Sequence, residues 1–348
     1  MRSLRKPATQ AEVAAHLGVG QKTVSRVFGA PGYVGEVMRA RVLEAAQRLG
    51  YRPNSGARAI RTGRFNNIIL LQSVHGYTSN LPESLLAGLM DGLNEYDISL
   101  TLARFPDEAL VRDDFLPKTL REFSADGLIV KYDASIPDRF REVIRERRVP
   151  AIWVNSRHEH DCVYPDDTQA ARDAVTHLLK FGHRRICYMD AAMKWEGARH
   201  YSRAARWEGV QAALREVGLT PKLWSPETKI PDDDVSSHMA EFLNDPDRPT
   251  AILAYSGLEA SMAHRAALEF TGLKVPRDLS LITFASPPLI TGITMTVMAN
   301  PQYEMGLNAA QMMLEKIKHP RRKLSPRILK FQHFKGGSCA APMHGSGG

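Results

Sequence analysis

Two hydrophobic periods run through this 348-residue chain and divide it. Over the first fifty residues, apolar side chains recur at helical spacing: Val13, Ala14 and Leu17, then Val24, Val27 and Phe28, then Met38, Val42, Ala45, Ala46 and Leu49. Thr9-Gln10-Ala11-Glu12 fits a T-x-x-E capping box, so a helix starts there, and Gly18 suits the left-handed position that ends it. Val19-Gly20 turns the chain into a second helix over residues 21–28, with Gln21, Lys22, Ser25 and Arg26 pointing away from its apolar face. Two short helices joined by a tight glycine turn form a helix-turn-helix, and a third over 36–49, ended by Gly50, closes a small core. The segment 55–60, after Pro53-Asn54, is too short to be a stable helix alone.

From residue 66 onward the period changes. Short apolar runs at 67–71, 99–103, 127–131, 151–155, 185–189, 250–254 and 279–284 alternate with amphipathic stretches such as 83–96, 168–181, 201–217 and 258–271. Continuous apolar strands alternating with helices predict a parallel α/β architecture with helices on both sheet faces. Ligands of such sheets bind beyond the strand C-termini.

Charge sharpens the division. Residues 1–64 hold twelve Lys and Arg against Glu12, Glu36 and Glu44, a balance of +9, whereas the whole chain carries +8. The remaining residues therefore sum to −1, and a basic helical head on a near-neutral body points to a polyanion-binding module. No apolar run approaches the ~20 residues that span a bilayer, so no membrane partner is expected. The basic start leads into Glu12 and His16 rather than an apolar h-region, which predicts a cytoplasmic protein. Cys162, Cys187 and Cys339 are odd in number and far apart, and read as reduced thiols.

The string AEVAAHLGVGQKTVSRVFGAPGYV, followed by RARVLEAAQRLGYRPNSGARAI, resembles the head and hinge of the lactose-repressor (LacI/GalR) family of bacterial transcription factors. DGLIV, VPAIWVN, AARDAVTHLLKFGHRRICYMD, RWEGVQAALREVGL, LKVPRDLSLITF and PQYEMGLNAAQMML extend the resemblance over nearly the whole chain, leaving 336–348 as a Gly/Ser-rich tail. It implies a small all-α helix-turn-helix head on a two-subdomain, periplasmic-binding-protein-like core of parallel sheets flanked by helices. The expected divisions are a head over 1–50, a hinge over 51–64, a core over 65–338 and a flexible tail over 339–348. Within the core, one subdomain takes 65–163 and 297–321 and the other 164–296 and 322–338, joined by three crossovers. The implied partners are pseudo-palindromic double-stranded operator DNA, a second copy of the chain, and a small effector, a sugar or a sugar acid or phosphate. No cofactor or metal is implied.

For DNA, the exposed start of the second helix places Gln21, Lys22 and Arg26 at base edges of the major groove, with Thr9, Thr23, Ser25 and Arg39 holding phosphates. The resemblance puts Asn54, Ala57 and Ile60 in hinge helices that enter the minor groove and form only on DNA. For the effector it points to Ser202, Arg206 and Asp166, with Ser73, Lys131, Asn155 and Ser256 completing the set. Two departures matter: Ser256-Gly257 stands where the family usually has Asn-Asp, and Ala285 where it usually has Asp. With Lys131, Lys194, Arg199 and Arg206 retained, the cleft is expected to favour an anionic effector.

Other constellations carry less. There is no dinucleotide fingerprint, Walker A sequence or nucleophile elbow, so an enzyme is not expected. His158 and His160 lack a third metal ligand by spacing. His183 follows a helix, where a cation caps the dipole, and Asp232-Asp233-Asp234 marks a helix start. Trp195, in a loop after a strand, is the tryptophan placed to meet a ligand. The reading is an effector-controlled DNA-binding regulator acting as a repressor. Its rivals are a regulator that has lost effector control, and a solute-binding or carbohydrate-processing protein on the same core.

Overall fold

The computed structural model divides the chain into two units, residues 1–66 and 67–348. It describes residues 8–28, 34–53, 59, 63–74, 80–105, 124–132, 136–194, 200–286 and 292–343. Asn54, Ala57, Ile60, Trp195 and Arg199 lie outside the described residues.

The first unit is a three-helix head: α1 (Gln10–Leu17), α2 (Gln21–Val27) and α3 (Glu36–Leu49). Both halves of the capping box form, since Thr9 Oγ1 accepts the Glu12 N–H at 3.3 Å and the Glu12 carboxylate accepts the Thr9 N–H at 2.6 Å. Gly18 and Gly50 end α1 and α3 in the left-handed region. Val13, Ala14, Val24, Val27, Val42, Ala45 and Ala46 are buried together, flanked by Phe28 and Tyr51, whose rings lie 5.1 Å apart. Leu49, expected in this core, is 38% exposed. It lies a heptad beyond Val42, past the shorter helices, and Tyr51 covers the core instead.

The second unit holds two six-stranded sheets. Along the chain come β1 (Asn67–Ser73), α4 (Glu83–Asn94), β2 (Ser99–Phe105), β3 (Gly127–Lys131), α5 (Asp138–Glu146), β4 (Ala151–Val154) and β5 (Cys162–Pro165). There follow α6 (Asp167–Lys180), β6 (Ile186–Met189), α7 (Tyr201–Arg215), β7 (Lys222–Trp224), α8 (Asp232–Leu243), β8 (Ala251–Ala254), α9 (Gly257–Arg265) with a π-helical turn (Ala266–Thr271), and β9 (Ser280–Ala285). Last are β10 (Thr296–Ala299), α10 (Gln302–Lys318), β11 (Arg327–Leu329) and β12 (Gln332–Phe334). The strand orders are β11-β5-β4-β3-β1-β2 and β12-β10-β9-β8-β6-β7. Every pairing is parallel except β10 with β12.

The interior strands are buried on both faces because their side chains alternate between two helical layers. Ile68 and Leu70 of β1 pack with Leu85, Leu89 and Leu93 of α4 and with Met305, Met312 and Met313 of α10, whereas Ile69 and Leu71 face Phe140 and Ile144 of α5. In the other sheet, Ile186 and Tyr188 meet α7 through Val210 and Leu214, while Cys187 and Met189 meet α8 through Val235 and Met239.

The sheet memberships correct the expected boundaries. β5 ends in the first sheet, β10 pairs along its length with β9 in the second, and β11 pairs with β5 back in the first. Residues 164–165 and 327–329 therefore belong with the first subdomain and 297–299 with the second, because strand pairing, not the adjoining helix, decides membership. The chain crosses between sheets three times: from β5 to α6, from β10 into α10, and from β11 to β12. The tail is also tied further than expected. Ser338 Oγ accepts from Thr296 N and donates to Leu281 O, and Ala340 O lies 2.9 Å from buried His183 Nε2. His183 is thus no helix-capping cation: burial lowers its pKa, and it bridges Thr250, Ser280 and Ala340 as a neutral ring.

Helices α4 and α10 touch backbone to backbone at Gly88 and Gly306. A methyl on Gly88 falls 2.1 Å from Tyr303 O, and one on Gly306 falls 2.2 Å from Leu85 O. Gly88→Ala is therefore expected to force the helices apart and lower stability by about 1 to 3 kcal/mol, read by chemical denaturation.

Candidate functional site

Two surfaces carry polar side chains that the folding of their own unit does not consume. In the head, Val24 and Val27 seat α2 on the core, which leaves Gln21, Lys22 and Arg26 exposed and Thr23 and Ser25 half-buried. The Gly20 N-cap supplies no side chain to satisfy the first N–H groups of α2, so the helix start presents donors as well as cations. Thr9 is spent on its own capping box. Arg39, expected on phosphate, donates from Nη1 to Val27 O at 3.1 Å and caps the C-terminus of α2 from α3. This bond ties the end of α2 to α3.

In the core, the expected effector residues gather at strand C-terminal ends. Ser73 ends β1 and Lys131 ends β3, both buried, with Lys131 paired in register with Gln72. Asn155 follows β4 in a left-handed conformation at φ 57°, Asp166 follows β5, and Ser256 follows β8. Two of these side chains serve their helices: Asp166 Oδ1 accepts the Gln169 N–H at 3.0 Å and Ser256 Oγ accepts the Glu259 N–H at 3.4 Å. Lys194 is paired with Glu227.

Arg206 is buried and internally bonded. Nε donates to Asp167 Oδ1 at 2.7 Å and Nη1 to Tyr255 O at 2.6 Å, with the guanidinium 4.1 Å from the Phe284 ring centroid. Ser202 joins a hydrogen-bonded chain. Its Oγ lies 2.9 Å from Tyr255 OH and 2.6 Å from His200 Nδ1, and His200 Nε2 donates to Asn155 O at 2.9 Å. A carbonyl can only accept, so Nε2 carries the proton and Nδ1 is the acceptor for Ser202. This chain links the end of β4 in the first sheet to α7 and β8 of the second.

The sequence reading missed three residues here. Asp190, which follows β6, is fully buried; it accepts the Ala192 N–H at 3.1 Å and pairs with Arg203 of α7. Arg203 in turn stacks 4.1 Å over the Tyr255 ring. Glu259 Oε1 accepts the Ala191 N–H at 2.8 Å. Burial first, and the Asp190 carboxylate second, push the Glu259 carboxyl up to about 8. Asp190 itself is raised, chiefly by burial. Asp167 Oδ2, Asp190 Oδ2, Glu259 Oε2 and Tyr188 OH, all buried, have no protein partner, nor do Ser225 Oγ after β7 and Asn300 Oδ1 after β10. The crevice at the end of the second sheet is thus rich in acceptors, where the sequence suggested a surplus of cations.

Elsewhere, His158 packs 4.5 Å from the Trp153 ring and lies 2.9 Å from Ser156 Oγ, with its pKa lowered to about 4 by burial, then Arg141 and His160. Among the described residues no group of three or more His, Cys, Asp or Glu is arranged to hold a metal, and no helix is long and apolar enough to cross a membrane.

Comparison with known proteins matches this division. A sequence family described as periplasmic binding proteins and the sugar binding domain of the LacI family covers residues 75–335, and the lacI family of bacterial regulatory proteins covers 9–54. The chain belongs to the LacI family. Catabolite control protein A of Priestia megaterium is 27% identical over 87% of this chain and 90% of its own. The HTH-type transcriptional regulator AglR of Rhizobium meliloti is 30% identical over 79% and 77%. A crystal structure of the lac repressor dimer bound to operator and the anti-inducer ONPF superposes with a TM-score of 0.78 at 20% identity, covering 97% of this chain and all of that one. The protein is a DNA-binding transcriptional regulator, with its helix-turn-helix at α1 and α2.

Two outcomes follow from the crevice of this LacI-family core. Arg206→Met leaves Asp167 buried beside an apolar side chain and is expected to lower stability by about 3 to 5 kcal/mol in chemical denaturation. Glu259, raised in the folded state, contributes stability at low pH that is lost as pH rises from about 4.5 towards 8, with a limiting slope of about 1.4 kcal/mol per pH unit. Denaturation between pH 5 and 8 should show a shallower fall for Glu259→Gln than for the parent protein.

Proposed function

We propose that this regulator is a cytoplasmic repressor that binds a pseudo-palindromic operator as a homodimer and changes its operator affinity when a sugar-like effector occupies the crevice. The single observation that carries the DNA half is the seating of α2, with Val24 and Val27 buried and Gln21, Lys22 and Arg26 outward at its start. A helix so placed reads major-groove edges from its N-terminal part, and two copies read two half-sites. Asn54, Ala57 and Ile60 extend the interface into the minor groove as hinge residues, in keeping with the family.

The effector half is supported by the unpartnered acceptors at the strand ends, which call for a ligand dense in hydroxyl donors. The family's sugar-binding core supports the same class. An anionic ligand, by contrast, would meet Asp167, Asp190 and Glu259, while Arg206 and Lys194 are already paired. The side chains of Ser202 and Asn155, with the remaining Nη of Arg206, are the contacts this reading assigns to the sugar; Ser73 and Lys131 approach it from the first sheet.

Randomised-operator selection tests the DNA half. Substituting Gln21 or Lys22 should shift base preference by about 1 to 3 kcal/mol at the contacted position, whereas Arg39→Ala, by loosening α2, should weaken all sequences alike. Retention of the parental preference by every Gln21 and Lys22 variant would sink the assignment of α2 as reader.

A further inference from the structure

We propose that Glu259 is the receptor for a protonated amino group, so that the effector crevice takes an amino sugar, or another amine-bearing polyol, in preference to its neutral parent. This rests on the effector-controlled reading above and names the ligand's class.

Charge pairing at the end of the second sheet leads there. Three carboxyl groups are buried near these strand ends, beside one buried guanidinium, Arg206, and one half-buried guanidinium, Arg203. Arg206 is committed to Asp167 and Arg203 to Asp190. Glu259, 6% exposed, is the third carboxyl; the cation that acts on it is Arg203, which is already paired with Asp190, so three carboxyl groups share two guanidinium groups. Glu259 Oε1 accepts the Ala191 N–H, and the Ser256 side chain also bonds the carboxyl. Oε2 has no partner, and neither does Oδ2 of Asp190, a residue that is fully buried. The two carboxyl groups are held on one turn, since Asp190 accepts from Ala192 N and Glu259 from Ala191 N. Tyr188, also fully buried, adds a hydroxyl without a partner.

A buried carboxyl in excess of the cations around it has two stable conditions: it keeps its proton, or a further cation arrives. A sugar hydroxyl can satisfy the open oxygen but leaves the charge uncompensated, so with a neutral ligand Glu259 stays protonated, as burial already favours. An ammonium brings three donors and a full positive charge, enough to serve Glu259 Oε2 and Asp190 Oδ2 together. The balance is then R–NH3+ plus Glu259–COOH giving the ion pair R–NH3+ with Glu259–COO−, and one proton passes to the buffer. Ser225, whose hydroxyl is also open after β7 beside β6, calls for a hydroxyl on the same ligand. A polyol carrying an amine meets both demands.

Isothermal titration of the full-length protein tests this, with D-glucosamine, D-galactosamine and D-mannosamine each set against its parent hexose at about pH 7, in two buffers of different ionisation enthalpy. The expected result is that at least one amine binds about tenfold or more tightly than its parent, and that its binding, unlike the parent's, is accompanied by a net release of protons. Glu259→Gln keeps an acceptor for the Ala191 N–H and should lose both the amine preference and the proton release while retaining operator binding. The proton count of the unmodified protein stands as a test without the variant. A hexose that binds as tightly as its amine, or a preference that survives Glu259→Gln, overturns the inference and leaves the effector-controlled reading in place. If none of the six sugars binds while operator DNA still does, the sugar-effector reading falls as well.

Discussion

A parallel sheet whose first strand lies between its second and third must send its connections to opposite faces, and at the C-terminal end of that strand a crevice is left between them. Both sheets of this core have that order, with β1 between β2 and β3 and β6 between β7 and β8. The second sheet shows the consequence in its packing, since α7 covers one face and α8 the other. Everything proposed for the effector depends on this reversal. Ser73, Lys131, Asp190 and Ser256 come from distant parts of the sequence and share only their place at strand ends.

The crevice is also where the two sheets communicate. The chain from Tyr255 through Ser202 and His200 to Asn155 O has a fixed direction, set by a carbonyl that can only accept. A ligand that competes for Ser202 or Tyr255 acts on the same bonds that hold the end of β4 to α7. Effector occupancy and the relation between the sheets are thus expressed in one set of hydrogen bonds, which is the physical requirement for coupling.

The head was legible in the sequence because its determinants are local: a capping box, two left-handed glycines and apolar positions three and four apart. Most interior strands were legible too, since burial on both faces demands unbroken apolar runs such as Ile-Cys-Tyr-Met at β6, but the interior β5 and β10 were not among the runs read as strands. Of the edge strands, β2 was legible and the other three were not. Lys-Leu-Trp at β7 and Gln-His-Phe at β12 carry no distinctive pattern, and pairing with distant neighbours makes them strands. The site was half legible. Resemblance pointed to Ser202 and Arg206, but the partner that occupies Arg206 sits 39 residues away. Asp190 reads as a loop aspartate until its burial is seen. Glu259 was concealed by its own context, because Ser256-Gly257-Leu258-Glu259 spells a capping box, and nothing in that string shows that the carboxylate also takes the Ala191 N–H, 68 residues away. For Arg39 the fold adds what the sequence could not show, that its guanidinium reaches Val27 O and caps α2.

The three crossovers also order events in time. The first sheet's core includes Met305, Ala309, Met312 and Met313 of α10, and its last strand is β11; the second sheet closes with β12. On the ribosome, therefore, the chain emerges with both sheets unfinished until almost all of it has been made, whereas the head, built from contacts within its own helices, can fold as soon as α3 is out. The nascent regulator holds a finished DNA-reading surface well before it has the means to sense a ligand. A ribosome stalled anywhere between α3 and α10 would release a fragment with its reader folded and its sensor incomplete, and its exposed strands would be a natural mark for quality-control proteases.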